Sequence, residues 1–383
     1  MDNIGIQSIY NLNKEKSLFH RYITNEKIAP LLKKVKSKAE VREIGKSVLN
    51  DSIYAITIGK GPKRVLMWSQ MHGNESTTTK AIFDFLNTCL AENKLTDTIL
   101  ESCTLCIIPI LNPDGAKAYT RVNANEIDLN RDAQQRSQPE SVALRKVFET
   151  FKPDFCFNLH GQRTIFSAGK AKKSAIVSFL SPAQDEACSV TPNRKIAMEI
   201  IAEMNRNLQE IIPNHVGVYD DAFNLNCVGD TFQSENIPTI LFEAGHFPDD
   251  YAREKTRELI YLSYMTALHH IATNDLKGDN YEAYFDIPEN EKLFYDVIIR
   301  NAKTFENEEI TDIGIQFEER LMVSEVKFVP IVKKVENLSG FHGHKELDAN
   351  GAVVLGENDE MLKVGNENVC VKLNNEEIAF FSK

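Results

Sequence analysis

Residues 67–79 read MWSQMHGNESTTT, and this stretch decides how the chain is read. The run RVLMWSQM is continuously apolar enough to be a strand buried on both faces of a sheet. It stops at a histidine, a glycine, an asparagine and a glutamate. The segment after it takes up helical spacing at Ile82, Phe85, Leu86 and Leu90. The pattern predicts strand, loop and helix, with His72 and Glu75 in the loop. Two further apolar runs end in the same way, PDFCFNL at His160 and PTILF at Glu243. Open α/β sheets bind ligands at the carboxyl ends of their strands. Four groups able to ligate a metal or move a proton are therefore expected at one sheet edge.

Outward from this stretch the chain alternates. Residues 18–38 read as an amphipathic helix ending in lysines, and DSIYAITIG and CTLCIIPILNP read as strands. ESVALRKVFETF, NRKIAMEIIAEMNRNLQEII and REKTRELIYLSYMTALHHIA read as helices. Strands alternating with helices predict a mostly parallel sheet covered on both faces. The polar segment NDLKGDNYEAYFDIPEN (274–290) marks a boundary. Beyond it KLFYDVIIR alternates with period two, and EVKFVPIV, GAVVLG and NVCVKLN are short strands between Asn/Gly turns. The expected organisation is a catalytic domain over 1–279 and a small all-β domain over 280–383.

A net charge of −11 argues against nucleic acid or an anionic membrane as the main partner, because phosphate recognition needs a clustered basic surface. Seven cysteines cannot all pair within one chain, and they read as buried thiols in a reducing compartment. Cys103 and Cys106 form a CxxC, but on a strand positions i and i+3 face opposite ways. The N-terminus lacks the apolar core of a signal peptide, and the 16-residue uncharged run Leu259–Asn274 reads as a buried helix. A cytoplasmic location is expected.

Two imidazoles and a carboxylate, with the fourth position open, make a catalytic zinc site. If His72, Glu75 and His160 bind the metal, Glu243 is free to take a proton from water and pass it to a leaving nitrogen. Between the second and third strands lies NPDGAKAYTRVNANEIDLNRDAQ (112–134), whose Pro, Gly and Asn content predicts an ordered loop rather than a regular element. It carries Arg121, Asn130 and Arg131. A guanidinium there suits a carboxylate or a developing oxyanion, and the plainer reading pairs these arginines with Asp128 and Asp132. His246 in EAGHFP, and His269 and His270 near a helix end, read as structural. His342 and His344 read as part of a solvated turn.

IGKSVLNDSIYAITIGKG, MHGNE, NPDGAKAYTRVNANEIDLNRD, NLHG and ILFEAG, in this order and at this spacing, resemble the M14 zinc metallocarboxypeptidases over about residues 40–270. The resemblance implies a mixed, mostly parallel eight-stranded α/β sheet with one zinc at its carboxyl edge. It implies that His72, Glu75 and His160 bind the zinc and that Glu243 activates water. Arg121 would stabilise the oxyanion, and Asn130 and Arg131 would grip the free C-terminal carboxylate of a peptide substrate.

Two positions depart from the family. The tyrosine it usually carries about 22 residues before the catalytic glutamate is replaced by Asp221, so Tyr219 is the candidate for closing over the substrate. Asp230 is the candidate pocket-base residue, which would favour a basic terminal side chain. Two other readings stand beside the peptidase. One is an aspartoacylase- or succinylglutamate desuccinylase-like amidohydrolase acting on N-acyl amino acids. The other is a zinc-free pseudoenzyme that binds peptides or glycans.

Overall fold

The computed structural model describes residues 3–91, 93–304, 307–356, 359–367, 370–373 and 376–380. The chain divides into two compact units, Met1–Gln162 with Ala175–Asn290, and Arg163–Ser174 with Glu291–Lys383.

In the first unit, helices α1 (Asn3–Asn13) and α2 (Asn25–Val35) precede strands β1 (Glu40–Lys46), β2 (Ser52–Gly59) and β3 (Lys63–Ser69). Helices α3 (Thr77–Leu90) and α4 (Lys94–Ser102) lead to β4 (Cys103–Ile108), then α5 (Pro113–Ala118), α6 (Pro139–Phe151) and β5 (Phe155–Gly161). The pair Ser167–Ala168 (β6) lies in the segment that joins the second unit. The first unit resumes with β7 (Val177–Leu180), α7 (Pro192–Gln209), β8 (Val216–Val218), α8 (Val228–Ser234), β9 (Thr239–Ala244) and α9 (Glu254–Thr273).

Eight of these strands form one mixed sheet in the order β1-β2-β4-β3-β5-β9-β7-β8. The central β4, β3, β5 and β9 run parallel, while β1, β2 and the β7–β9 pair contribute antiparallel edges. From β3 the chain passes to β4 on one side and then returns to β5 on the other. The connecting helices consequently pack on opposite faces: Ile82, Phe85 and Leu86 of α3 join one core, and Leu144, Val147 and Phe148 of α6 join the other. Such a reversal opens a crevice at the carboxyl ends of the two strands. Cys103 and Cys106 fall in different cores, as a strand's period of two requires.

The threonines of the opening stretch lock this edge. Ser69 Oγ lies 2.7 and 2.8 Å from the hydroxyls of Thr78 and Thr79, and Thr79 Oγ1 donates to the Pro109 carbonyl at 2.9 Å. The start of α3 is thereby tied to the ends of β3 and β4.

Several elements differ from the sequence reading. The single helix expected over 18–38 is α2 alone, because the chain turns through a left-handed residue at His20 (φ 63°), and α1 precedes it. The 112–134 segment contains two short helical elements, α5 and a 3-10 turn at Leu129–Arg131, with Asn112 Oδ1 accepting from the Gly115 amide and Pro113 at the first helical position of α5. The domain boundary falls after Asn290 rather than at 279/280, because Tyr284 and Ile287 are buried in the first unit's core.

The second unit also takes in Arg163–Ser174, which the expected boundaries assigned to the first. Its buried Asp296 accepts from the Phe317 amide at 2.7 Å and from Thr164 Oγ1 at 3.2 Å, which pins that segment. After the short β10 (Asn290–Glu291), strands β11 (Phe294–Thr304), β12 (Asn307–Met322), β13 (Glu325–Glu336) and β14 (His342–Asp348) form a sheet in the order β13-β12-β11-β14. Strands β15 (Val354–Gly356), β16 (Cys370–Leu373) and β17 (Glu376–Ala379) form a second sheet. The His342–His344 pair lies on β14 and not in a solvated turn. The His344 ring stacks on Phe294 at 4.6 Å, and its Nε2 lies 2.8 Å from the Thr164 carbonyl.

Among the described residues of the first unit, one ion pair is wholly buried. Asp84 on α3 accepts from Arg257 Nε and Nη2 of α9, both at 2.6 Å, and neither side chain is exposed. The same guanidinium donates to the Leu18 and Glu15 carbonyls, which fastens the N-terminal segment to the domain. Removing one partner of a buried pair strands the other charge. Asp84→Ala is expected to cost about 3–5 kcal/mol in denaturant unfolding, and pairing it with Arg257→Leu should recover part of that loss.

Candidate active site

His72 lies three residues past the end of β3, while His160 and Glu243 lie within β5 and β9 as partners in one parallel ladder. Glu75 follows His72 by one turn, and its amide donates to the His72 carbonyl at 3.1 Å. Gly73 between them allows this turn to rest on the backbone of α5, where a Cβ would lie 1.9 Å from the Gly115 carbonyl carbon. A side chain at position 73 would displace the loop that carries both groups.

Three side chains converge. His72 Nδ1 lies 2.9 Å from Glu75 Oε1, His160 Nδ1 lies 2.9 Å from Glu75 Oε2, and the two Nδ1 atoms are 3.0 Å apart. His72 and His160 are each 2% exposed, so no bulk water separates them. His72 Nε2 faces Asp128 Oδ1 at 3.0 Å. An ionised carboxylate there only accepts a hydrogen bond, so Nε2 carries the proton and the Nδ1 lone pair points at the cluster. Two nitrogens facing each other with a carboxylate bridging both is a donor set that fits one zinc ion. Among the described residues this is the one group of His, Cys, Asp and Glu with ligand atoms so close, all within 4.8 Å.

The charges are mutually dependent. Burial alone would raise Glu75, yet the two imidazoles hold its carboxyl well below the usual carboxylate range. Burial opposes charge on His72, but Glu75 and Asp128 outweigh it and raise its pKa. Glu243 is pushed well above its ordinary value, first by burial and then by the charge of Glu75, with Arg121 and Arg253 acting in the opposite direction. One oxygen of Glu243 is buried without a hydrogen-bond partner. A divalent ion at the cluster would offset the repulsion between these carboxyls.

The arginine-bearing segment borders the cluster. Arg121 is about half exposed; its Nε donates to Asp128 Oδ2 at 3.1 Å and its Nη1 to Glu75 Oε1 at 3.4 Å. The plainer pairing with Asp128 and a place beside the candidate ligands are thus both realised. Asp132 instead holds its own loop, accepting from the amides of Ser137 and Gln138. Asn130 Oδ1 accepts from the Val228 amide at the start of α8, and Arg131 is exposed with Nη1 donating to the Asn130 carbonyl. Asp230 lies in the first turn of α8 and is 7% exposed; its Oδ1 accepts from the Asn224 amide, and burial raises its pKa to about 6. Tyr219 follows β8, with its amide donating to the Phe179 carbonyl. Asp221, at the position where the resemblance implies a tyrosine, is paired with the buried Arg194 at 2.5 Å.

Asp128 is the functional residue that sequence reasoning missed. It pairs with Arg121 as the plainer reading has it, and the signal for its second contact lies in DLN itself: an aspartate capping a short 3-10 turn, Leu129–Arg131, and thereby held toward the sheet edge.

A mixed α/β sheet with two histidines and a glutamate at its carboxyl edge defines a candidate centre for a single metal ion. The chain belongs to the M14 peptidase family of zinc carboxypeptidases, whose family model matches residues 25–252. Carboxypeptidase 2 of Trichophyton rubrum is 27% identical over 111 residues, covering 28% of this chain and 20% of that protein. Mouse carboxypeptidase M is 27% identical over 181 residues, 39% of this chain and 41% of that protein. The fold is shared with the metallo-carboxypeptidase of Burkholderia cenocepacia, with a TM-score of 0.54 and 20% identity over 66% of this chain and 70% of that one. The chain spans about a fifth of the length of the fungal relatives.

His160 Nε2 is buried without a hydrogen-bond partner, whereas His72 Nε2 has Asp128, so Asp128 is the carboxylate placed to orient a ring of the candidate cluster. Outer partners of this kind are worth about 10–100-fold in metal affinity. Asp128→Ala is expected to weaken zinc binding by about that factor in a chelator competition, with the fold retained by circular dichroism.

Proposed function

We propose that the protein is a zinc-dependent carboxypeptidase that hydrolyses the C-terminal peptide bond of peptides with a free carboxylate. The observation that carries this reading is the convergence of His72, Glu75 and His160 with Glu243 as the ladder partner of His160. Zinc, when bound, supplies Lewis acidity, polarising the scissile carbonyl and making water a competent nucleophile near neutral pH.

The chain's own groups do the rest. Glu243 accepts the proton of the attacking water and delivers it to the leaving nitrogen. Arg121, half exposed at the rim, reaches the carbonyl oxygen as negative charge develops there. Asn130 and Arg131 hold the substrate carboxylate; the fork of a guanidinium suits it, and Arg131 is open to solvent. Tyr219 closes over the terminal residue. The buried thiols of Cys89, Cys103, Cys106 and Cys156 support a reducing, cytoplasmic setting. No described helix is long and apolar enough to cross a membrane.

Turnover of C-terminal peptides should vanish with a chelator and return with zinc. Glu243→Gln should keep zinc and lower kcat by about 10³-fold or more. Unchanged turnover in that variant would reassign the base. Release of N-acyl groups without peptide cleavage would favour the amidohydrolase reading, and a purified chain without zinc would favour a binding protein.

Asp230 supplies selectivity for a basic terminal side chain. A carboxyl with its pKa raised to about 6 is neutral below that pH and charged above it. The preference for C-terminal Lys over Leu should therefore rise from pH 5 to pH 7 and disappear in Asp230→Asn. Equal rates on the two peptides at pH 7 would remove Asp230 from this role.

A further inference from the structure

Arg253 breaks several local rules at once. It occupies the N-cap position of the 20-residue helix α9 with φ 58° and ψ 33°, a left-handed conformation that an arginine rarely adopts. A cation at a helix N-terminus also opposes the helix dipole, and arginine is not a preferred cap. Asp250 does the capping instead, accepting from the Glu254 amide at 2.9 Å and the Lys255 amide at 2.7 Å. The Arg253 side chain is 1% exposed, so its charge is taken almost wholly out of water. Strain and burial together in one residue point to a role beyond starting a helix.

Its hydrogen bonds show what it holds. Nη1 donates to the Ala244 carbonyl at 2.5 Å and also to the Gly245 carbonyl, and Nη2 donates to the Gln162 carbonyl at 2.9 Å. Gln162 lies two residues beyond His160, and Ala244 and Gly245 lie one and two beyond Glu243. The β5–β9 ladder ends at the pair Gly161 and Ala244, so these carbonyls lie where regular pairing stops. Gly245 leaves no slack, since a Cβ there would lie 2.0 Å from the Ala175 carbonyl oxygen. Thr256 Oγ1 adds a bond to the Gly245 carbonyl at 3.1 Å. One planar guanidinium therefore spans the ends of both strands, and a planar fork does this better than a flexible ammonium.

We propose that Arg253 is a positioning residue which, by bridging the carbonyls of Gln162, Ala244 and Gly245, keeps His160 and Glu243 side by side at the metal site. The inference rests on reading His160 as a zinc ligand and Glu243 as the base. It adds a support outside the ring of groups that touch metal or substrate.

The test uses the full chain with Arg253→Met, which keeps length and loses the bridge, and Arg253→Lys. Zinc affinity is measured by competition with a chromophoric chelator, and kcat and KM on a C-terminal Lys peptide. Arg253→Met is expected to weaken zinc about 10-fold and to lower kcat about 10–100-fold with KM within about threefold. Arg253→Lys should recover part of both losses. A folded Arg253→Met with wild-type zinc affinity and kcat, losing only thermal stability, would overturn the proposal. If Arg253→Met does not fold, Arg253→Lys decides: about a 10-fold loss of kcat and weakened zinc support it, and wild-type values overturn it. Should the wild type cleave no peptide, the functional reading fails, and zinc affinity still decides the role of Arg253.

Discussion

Everything at the edge of this sheet depends on two imidazole nitrogens held 3.0 Å apart with one carboxylate bridging them. Such an arrangement is costly unless something occupies the point on which it converges. The fold meets that cost by distributing the three groups over two supports. One is the tight turn after β3, seated on the α5 backbone through Gly73. The other is the interior of β5, locked between β3 and β9. Because the chain leaves β3 in one direction and returns on its far side, these supports meet where the helices part. The threonines behind His72 fix that edge from beneath, so the site rests on regular elements rather than on long loops.

The electrostatics reinforce the same conclusion. A mostly buried glutamate held low by two imidazoles lies near a second glutamate pushed upward by burial and by the first one's charge. Two carboxyls in one dry site are driven apart in proton affinity, which is how acid–base roles come to be divided. Arg121, Asp128 and Arg253 trim this field from different sides, and only Arg121 among them is well exposed.

Much of this was legible in the sequence. Continuous apolar runs bounded by polar turns located β3, β4, β5 and β9, because strands buried on both faces have no alternation to obscure them. The candidate ligands and base were visible because the runs of β3, β5 and β9 stopped at ionisable residues. What escaped detection was short, edge-like or non-local. β1 is mostly exposed and carries little apolar signal, and α1 precedes any clear period. The Arg163–Ser174 segment joins the second unit through a buried aspartate far along the chain, a pairing that no local pattern encodes. Arg253 looked like an ordinary helix start. Its meaning lies in three backbone carbonyls brought to it by tertiary structure.

The central claim is most directly tested by X-ray absorption at the zinc edge on the purified, zinc-loaded chain. The account predicts one zinc per chain with two histidine nitrogens at about 2.0–2.1 Å, oxygen ligands filling the remaining positions and no sulfur. A spectrum showing sulfur at about 2.3 Å, or a chain that retains no zinc, would contradict it.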